Sequence, residues 1–208
     1  MKIDPDVVLW SAPERERAGR PLLVLLHGYG SHEGDLFALS PRLPLGPVIA
    51  SVRAPLPENG GNAWFTLRGS TPGDPPAANV EAATDALLEW LDTLEYTSVG
   101  LLGFSQGAAV ALQALRHAPT RFAAVVALSG FIASGTHPGD AELAEIKPPV
   151  FYGRGTVDTV ITGAAVTRTE AWIPAHTTDT SRIYEDVAHS ISADELTDIA
   201  AFVAEHLR

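Results

Sequence analysis

Five short, nearly all-apolar runs punctuate the chain: "PLLVLL", "PVIASVRAP", "SVGLLG", "FAAVVALSG" and "PPVFYGRG". Runs of this length, without polar alternation, fit strands covered on both faces. Between and after them lie helical patterns. In "NVEAATDALLEWLDTL" the residues Val80, Ala83, Leu87, Leu91 and Leu94 recur at three- and four-residue steps and make one apolar stripe. In "SADELTDIAAFVAEHL" Ser192 is followed three places later by Glu195, a capping-box pattern, and Leu196, Ile199, Ala200, Val203 and Leu207 share a face. Strands that alternate with helices predict an α/β fold with a mostly parallel central sheet and helices on both faces, because parallel neighbours need crossover connections. Ligands in such sheets sit beyond the carboxyl ends of the strands.

The chain has 208 residues, enough for one well-buried core, and is read as a single domain over 1–208. The Gly- and Pro-rich stretches "PLPENGGNAW" and "LRGSTPGDPPAAN" read as loops within it. The segment from Ala133 to Pro148 is too short for a separate cap domain and is expected to supply only a short covering loop, with the acidic "GDAELAE" as a solvated helix face. A net charge of −11 leaves no field to attract nucleic acid or an anionic membrane surface, so neither a nucleic-acid partner nor a stable membrane association is expected. The absence of cysteine excludes disulfides, thiolate metal sites and a cysteine nucleophile. Asp4, Pro5 and Asp6 interrupt the apolar stretch a signal peptide would need, and the expected location is cytoplasmic. A homodimer is compatible with all of this.

"GFSQG" matches G-x-S-x-G, in which the flanking glycines let a strand turn sharply into a helix and leave the serine hydroxyl exposed. Alone the pentapeptide is weak. Its setting strengthens it, since "VGLL" precedes it as a strand and Ala108 and Ala109 follow on a helix that ends near Pro119. A serine hydroxyl is a poor nucleophile unless a base accepts its proton and a third group orients that base. In the order serine, acid, histidine, Asp158 lies just past the strand in "YGRGTVDTVI" and His189 just past the next, in "IYEDVAHSI". Ser105, Asp158 and His189 are therefore the candidate catalytic set. Donors for the oxyanion are expected from the backbone N–H of Tyr29, in "LLHGYG", and that of Gln106 at a helix N-terminus.

Taken as a set, "LHGYG", "APLPENGGNAWF", "GFSQGAAVAL", "LSGF", "GTVDTVI" and "AHSIS" resemble the phospholipase/carboxylesterase family of α/β-hydrolases, in the family's order and over nearly the whole chain. The resemblance implies the same nucleophile, acid and base, with an acyl pocket near Trp64, Phe65 and Phe131. It implies a serine carboxylesterase for short- to medium-chain acyl esters, with a small-molecule ester as partner and neither cofactor nor metal. A thioesterase or lysophospholipase would use the same apparatus, and a non-catalytic scaffold binding through the same pocket is an alternative of another class. Two positions depart from the family's pattern: Thr66 stands where an Asp often follows the Trp-Phe pair, and Thr162 where a Pro often follows the aliphatic pair. His27 is read as a loop-holding residue. His32, Glu33 and Asp35 are metal-capable by type but are explained by loop polarity.

Overall fold

The computed structural model describes residues 1–208. The strands are β1 (Leu9–Trp10), β2 (Leu22–Leu26), β3 (Val48–Val52), β4 (Leu56–Glu58), β5 (Gly61–Ala63), β6 (Val99–Phe104), β7 (Phe122–Leu128), β8 (Pro149–Gly155) and β9 (Thr178–Tyr184). The helices are α1 (Glu33–Phe37), α2 (Ala77–Leu91), α3 (Gln106–His117), α4 (Gly139–Ile146), α5 (Gly163–His176) and α6 (Ala193–His206). Seven strands form one sheet in the order β1-β3-β2-β6-β7-β8-β9, and β4 and β5 form a separate hairpin. Only the β1–β3 pair of the large sheet is antiparallel. This is the expected α/β architecture.

Successive side chains of a strand point to opposite faces, so every central strand feeds two cores. Leu22, Val24, Leu26, Leu101, Val125 and Val150 face one core, shared with α2, α3 and α5. Leu23, Leu25, Leu102, Val126 and Phe151 face the other, shared with α1 and α6. That arrangement explains why the strands read as unbroken apolar runs. On α2 the stripe packs as expected through Val80, Ala83, Leu87 and Leu91, while Leu94 lies past the helix end and is half-buried. The capping box of α6 forms, with Ser192 accepting from the Glu195 N–H and Glu195 accepting from the Ser192 N–H. β9 is an edge strand, polar and mostly exposed.

Two loop expectations are corrected. "PLPENGGNAW" contains a hairpin with a two-residue turn: Asn59 and Gly60 have φ of 56° and 76°, the left-handed pair that a tight β-turn between antiparallel strands requires. The segment from Ala133 to Pro148 does not cover the cavity. It folds largely into α4, which docks on α3 and α5 because Arg116, at the end of α3, donates to Asp140 and to the carbonyls of Ala133 and Gly135. Trp172 of α5 donates its indole N–H to the same Asp140. Burial opposes the ionised carboxyl of Asp140, but the Arg116 guanidinium and the His137 N–H outweigh it and hold its pKa below the usual range.

Candidate active site

The strand-helix turn at "GFSQG" puts Ser105 at φ 55° and ψ −113°, a conformation that costs a non-glycine residue free energy and lifts its side chain out of the turn. The flanking glycines are required by contact. A Cβ on Gly103 would come within 2.3 Å of the Gly107 carbonyl oxygen, and one on Gly107 within 1.9 Å of that of Leu26. The Ser105 N–H donates to Leu128 O at 2.8 Å, which fastens the turn to β7. The strain is thus held by the sheet on both sides.

Asp158 and His189 arrive from the loops after β8 and β9. These loops are zipped together: Thr156 N–H donates to Tyr184 O, Val157 N–H to Val187 O, and Asp186 N–H to Thr156 Oγ1. Gly155 allows this approach, since a Cβ there would lie 1.9 Å from Val187 O. The result is a continuous relay. His189 Nε2 lies 2.9 Å from Ser105 Oγ and its Nδ1 lies 2.7 Å from Asp158 Oδ2. Asp158 Oδ1 in turn accepts from the N–H groups of Val160 and Ile161, which fixes the carboxylate plane. The His189 ring packs on Phe104, with centroids 4.9 Å apart. Ser105 is only 8% exposed, so access is through a cavity and not across an open surface.

The Tyr29 backbone N–H makes no hydrogen bond within the protein, and the Gln106 N–H, at the first residue of α3, has no intrahelical partner by position. Both residues line the cavity beside Ser105. The loop that carries Tyr29 is clamped by the hairpin: Gly30 N–H donates to Asn62 O and Asn62 N–H to Ser31 O. The Tyr29 hydroxyl donates to Glu58 Oε1 at 3.0 Å, and that oxygen also accepts from Thr66 Oγ1. His27 holds the start of the loop. Its Nε2 accepts from Ala54 N–H, which places the proton on Nδ1, donating to Gly28 O. Burial pushes its pKa down, which favours the neutral ring that accepts from Ala54 N–H.

A cavity of ≈ 250 Å³ opens above Ser105 and runs between Leu67, Pro72, Phe131, Val160 and Ile161. Phe131 is on its wall, whereas Trp64 and Phe65, named with it in the sequence, are fully buried at 0% accessibility and line no part of it. Their role is behind the wall. The Gln106 side chain accepts from Trp64 N–H and donates to Phe65 O, and the Trp64 indole donates to His27 O, so the pair fastens the hairpin to the turn carrying the nucleophile candidate. Sequence reasoning missed Leu67, Phe104, Val160 and Ile161 as lining residues, since their side chains carry no signal beyond apolarity.

The two departures from the family pattern have local partners. Thr66 is held by Glu58, and Thr162 caps α5 by accepting from Ala165 N–H. The metal-capable loop residues are also engaged: His32 caps Gly34, and Arg53 binds the Glu33 carboxylate and, against some desolvation, holds its pKa at about 2. Asp35 accepts from Ser31 Oγ at 2.6 Å. No helix is long and apolar enough to cross a membrane.

Residues 12–207 match the family model described as phospholipase/carboxylesterase. The chain is similar to esterase YpfH of Escherichia coli, 29% identical over 214 residues that cover 93% of this chain and 84% of that protein. It is similar to acyl-protein thioesterase 1 of Saccharomyces cerevisiae, 29% identical over 161 residues, 70% of this chain and 69% of that one. Among solved structures, esterase PE8 superposes with a TM-score of 0.76 at 28% identity, with complete coverage of both chains. The Bacillus cereus carboxylesterase shares the fold, with a TM-score of 0.78 at 20% identity over 96% of this chain and 94% of that one. The family match spans every strand of the sheet after β1, the hairpin and both loops that carry Asp158 and His189, and the chain belongs to the phospholipase/carboxylesterase family of α/β-hydrolases.

Proposed function

We propose that the protein is a serine carboxylesterase that hydrolyses short- to medium-chain acyl esters through an acyl-enzyme. The observation that carries this reading is the unbroken hydrogen-bond relay Ser105–His189–Asp158 at the floor of an apolar cavity. His189 Nε2 takes the Ser105 proton as Oγ attacks the ester carbonyl, and the carbonyl oxygen becomes an oxyanion facing the Tyr29 and Gln106 N–H groups. Collapse breaks the bond to the leaving oxygen, which receives the proton from His189. Water then gives its proton to His189 and attacks the acyl-enzyme, and the second collapse releases the acid and returns the proton to Ser105. Asp158 keeps the imidazole in the tautomer with Nδ1–H and stabilises the imidazolium formed in each half-reaction.

The size of the cavity supports the short end of the acyl range. At ≈ 250 Å³ it falls below the roughly 300–1,000 Å³ typical of sites for larger ligands, and its apolar wall suits an uncharged chain. Two experiments test the reading. A p-nitrophenyl ester series of increasing acyl length should show an optimum at short to medium chains, and Ser105→Ala should lower kcat/KM by at least about 10³-fold. Full hydrolysis by Ser105→Ala would end the mechanism. A fluorophosphonate should label Ser105 in the folded protein; no adduct would favour a binding scaffold instead. Running the series with sulfur in place of the ester oxygen separates an esterase from a thioesterase.

A further inference from the structure

A second cavity, of ≈ 290 Å³, also borders His189. It shares Asp35, Phe104 and His189 with the first, does not reach Ser105, and continues along Leu36, Leu39 and Ile191. Resting on the esterase reading above, the chemistry assigns the two spaces differently. The leaving oxygen must be within reach of His189 Nε2 when it departs, so the alcohol portion of the ester lies toward His189, while the acyl chain runs along Phe131 and Ile161. The second cavity is therefore continuous with the place where the leaving alcohol sits.

We propose that this second cavity is a leaving-group subsite selective for alcohols that carry a positive charge, an amino or quaternary-ammonium alcohol, with Asp35 as the specificity-determining residue. Asp35 stands where the two cavities join. Its carboxylate accepts one hydrogen bond, from Ser31, and makes no ion pair. Phe104, also common to both cavities, adds an aromatic surface beside the charge, the combination that suits an ammonium group better than a hydrated anion. Leu36, Leu39 and Ile191 supply apolar wall for the carbon atoms around the cationic centre, with Ser190 as the one further polar residue beside His189. An anionic alcohol would meet an uncompensated like charge at the same point.

The test compares kcat/KM for butyrylcholine with that for 3,3-dimethylbutyl butyrate, which has the same acyl group and a neutral leaving group of the same shape. The ratio should exceed one in the native protein, fall roughly two- to fivefold in Asp35→Asn, as expected for one charge pair at an exposed carboxylate, and be retained in Asp35→Glu. Glu145→Gln, a change at an exposed position that lines neither cavity, should leave the ratio and the activity as they are. A native ratio at or below one, an unchanged ratio in Asp35→Asn, or an equal fall in Glu145→Gln overturns the charged subsite. Those results would leave the esterase reading intact so long as Ser105→Ala abolishes hydrolysis of both esters; hydrolysis that survives Ser105→Ala removes that reading instead.

Discussion

Glu195 does two things that a sequence can show only one of. As the third residue of α6 it closes the capping box with Ser192, and the spacing in "SADE" announces that. The same carboxyl is also fully buried over Gly153 of β8, where a Cβ would come within 2.3 Å of Oε1, and Oε1 has no hydrogen-bond partner. Burial raises its pKa to about 7, against the Ser192 N–H, which lowers it. A folded-state pKa above the unfolded value of about 4.5 favours the protonated fold. The stability that this group contributes is complete below pH 4.5 and is lost as the pH rises to 7. Gln can cap in the same way without ionising. Urea unfolding of Glu195→Gln should therefore show a shallower loss of stability between pH 5 and 8, with a gain over the native protein at pH 8 on the order of 2 kcal/mol. An identical pH dependence in both proteins would mean that the carboxyl is solvated. Trp64 and Phe65 teach the same lesson at residue scale. Their position beside the site followed from the family pattern, but whether a ring lines a cavity or braces its wall depends on how the chain turns after β5, and no spacing encodes that.

Elements differ in how well their sequences announce them. The five buried strands and the α2 and α6 stripes are legible because each has one environment along its length, and the order serine, acid, histidine follows from strand ends alone. The hairpin of β4 and β5 had a readable signal, Asn59-Gly60, but its flanks "LPE" and "GNA" lack the alternation that marks a strand, because this hairpin clamps the Tyr29 loop and covers no sheet. β9 pairs with β8 along its whole length with mostly polar side chains, as an edge strand can. The docking of α4 was beyond reach of local pattern, since the acidic run looks solvated until Arg116 of α3 is brought beneath it. Arg116 is buried, with 3% of its side chain exposed, and Asp140 is nearly so. Removing one partner leaves the other charge without compensation, so Arg116→Met should cost about 3–5 kcal/mol in urea unfolding. Activity per folded molecule should persist, because no residue of the Ala133–Pro148 segment lines the cavity. A loss below about 1 kcal/mol would show that water reaches Asp140 and that the staple is weak.

At the scale of the whole molecule the parallel sheet gathers Ser105, Asp158 and His189 at the carboxyl ends of β6, β8 and β9, far apart in sequence and joined by hydrogen bonds. The surrounding field is set by a net charge of −11, which attracts cations and repels anions over distances that salt shortens. Two effects on a cationic ester are then separable by ionic strength. The Debye length falls from about 30 Å at 0.01 M to about 8 Å at 0.15 M, which screens charges spread over the surface far more than a carboxylate in contact with the substrate. Raising the salt across this range should lower kcat/KM for butyrylcholine several-fold and leave the neutral 3,3-dimethylbutyl ester unchanged. The part of the choline preference that survives at 0.15 M should be the part that Asp35→Asn removes. If the preference vanished entirely with salt in the native protein, the selectivity would belong to the net charge of the molecule and not to the cavity beside His189.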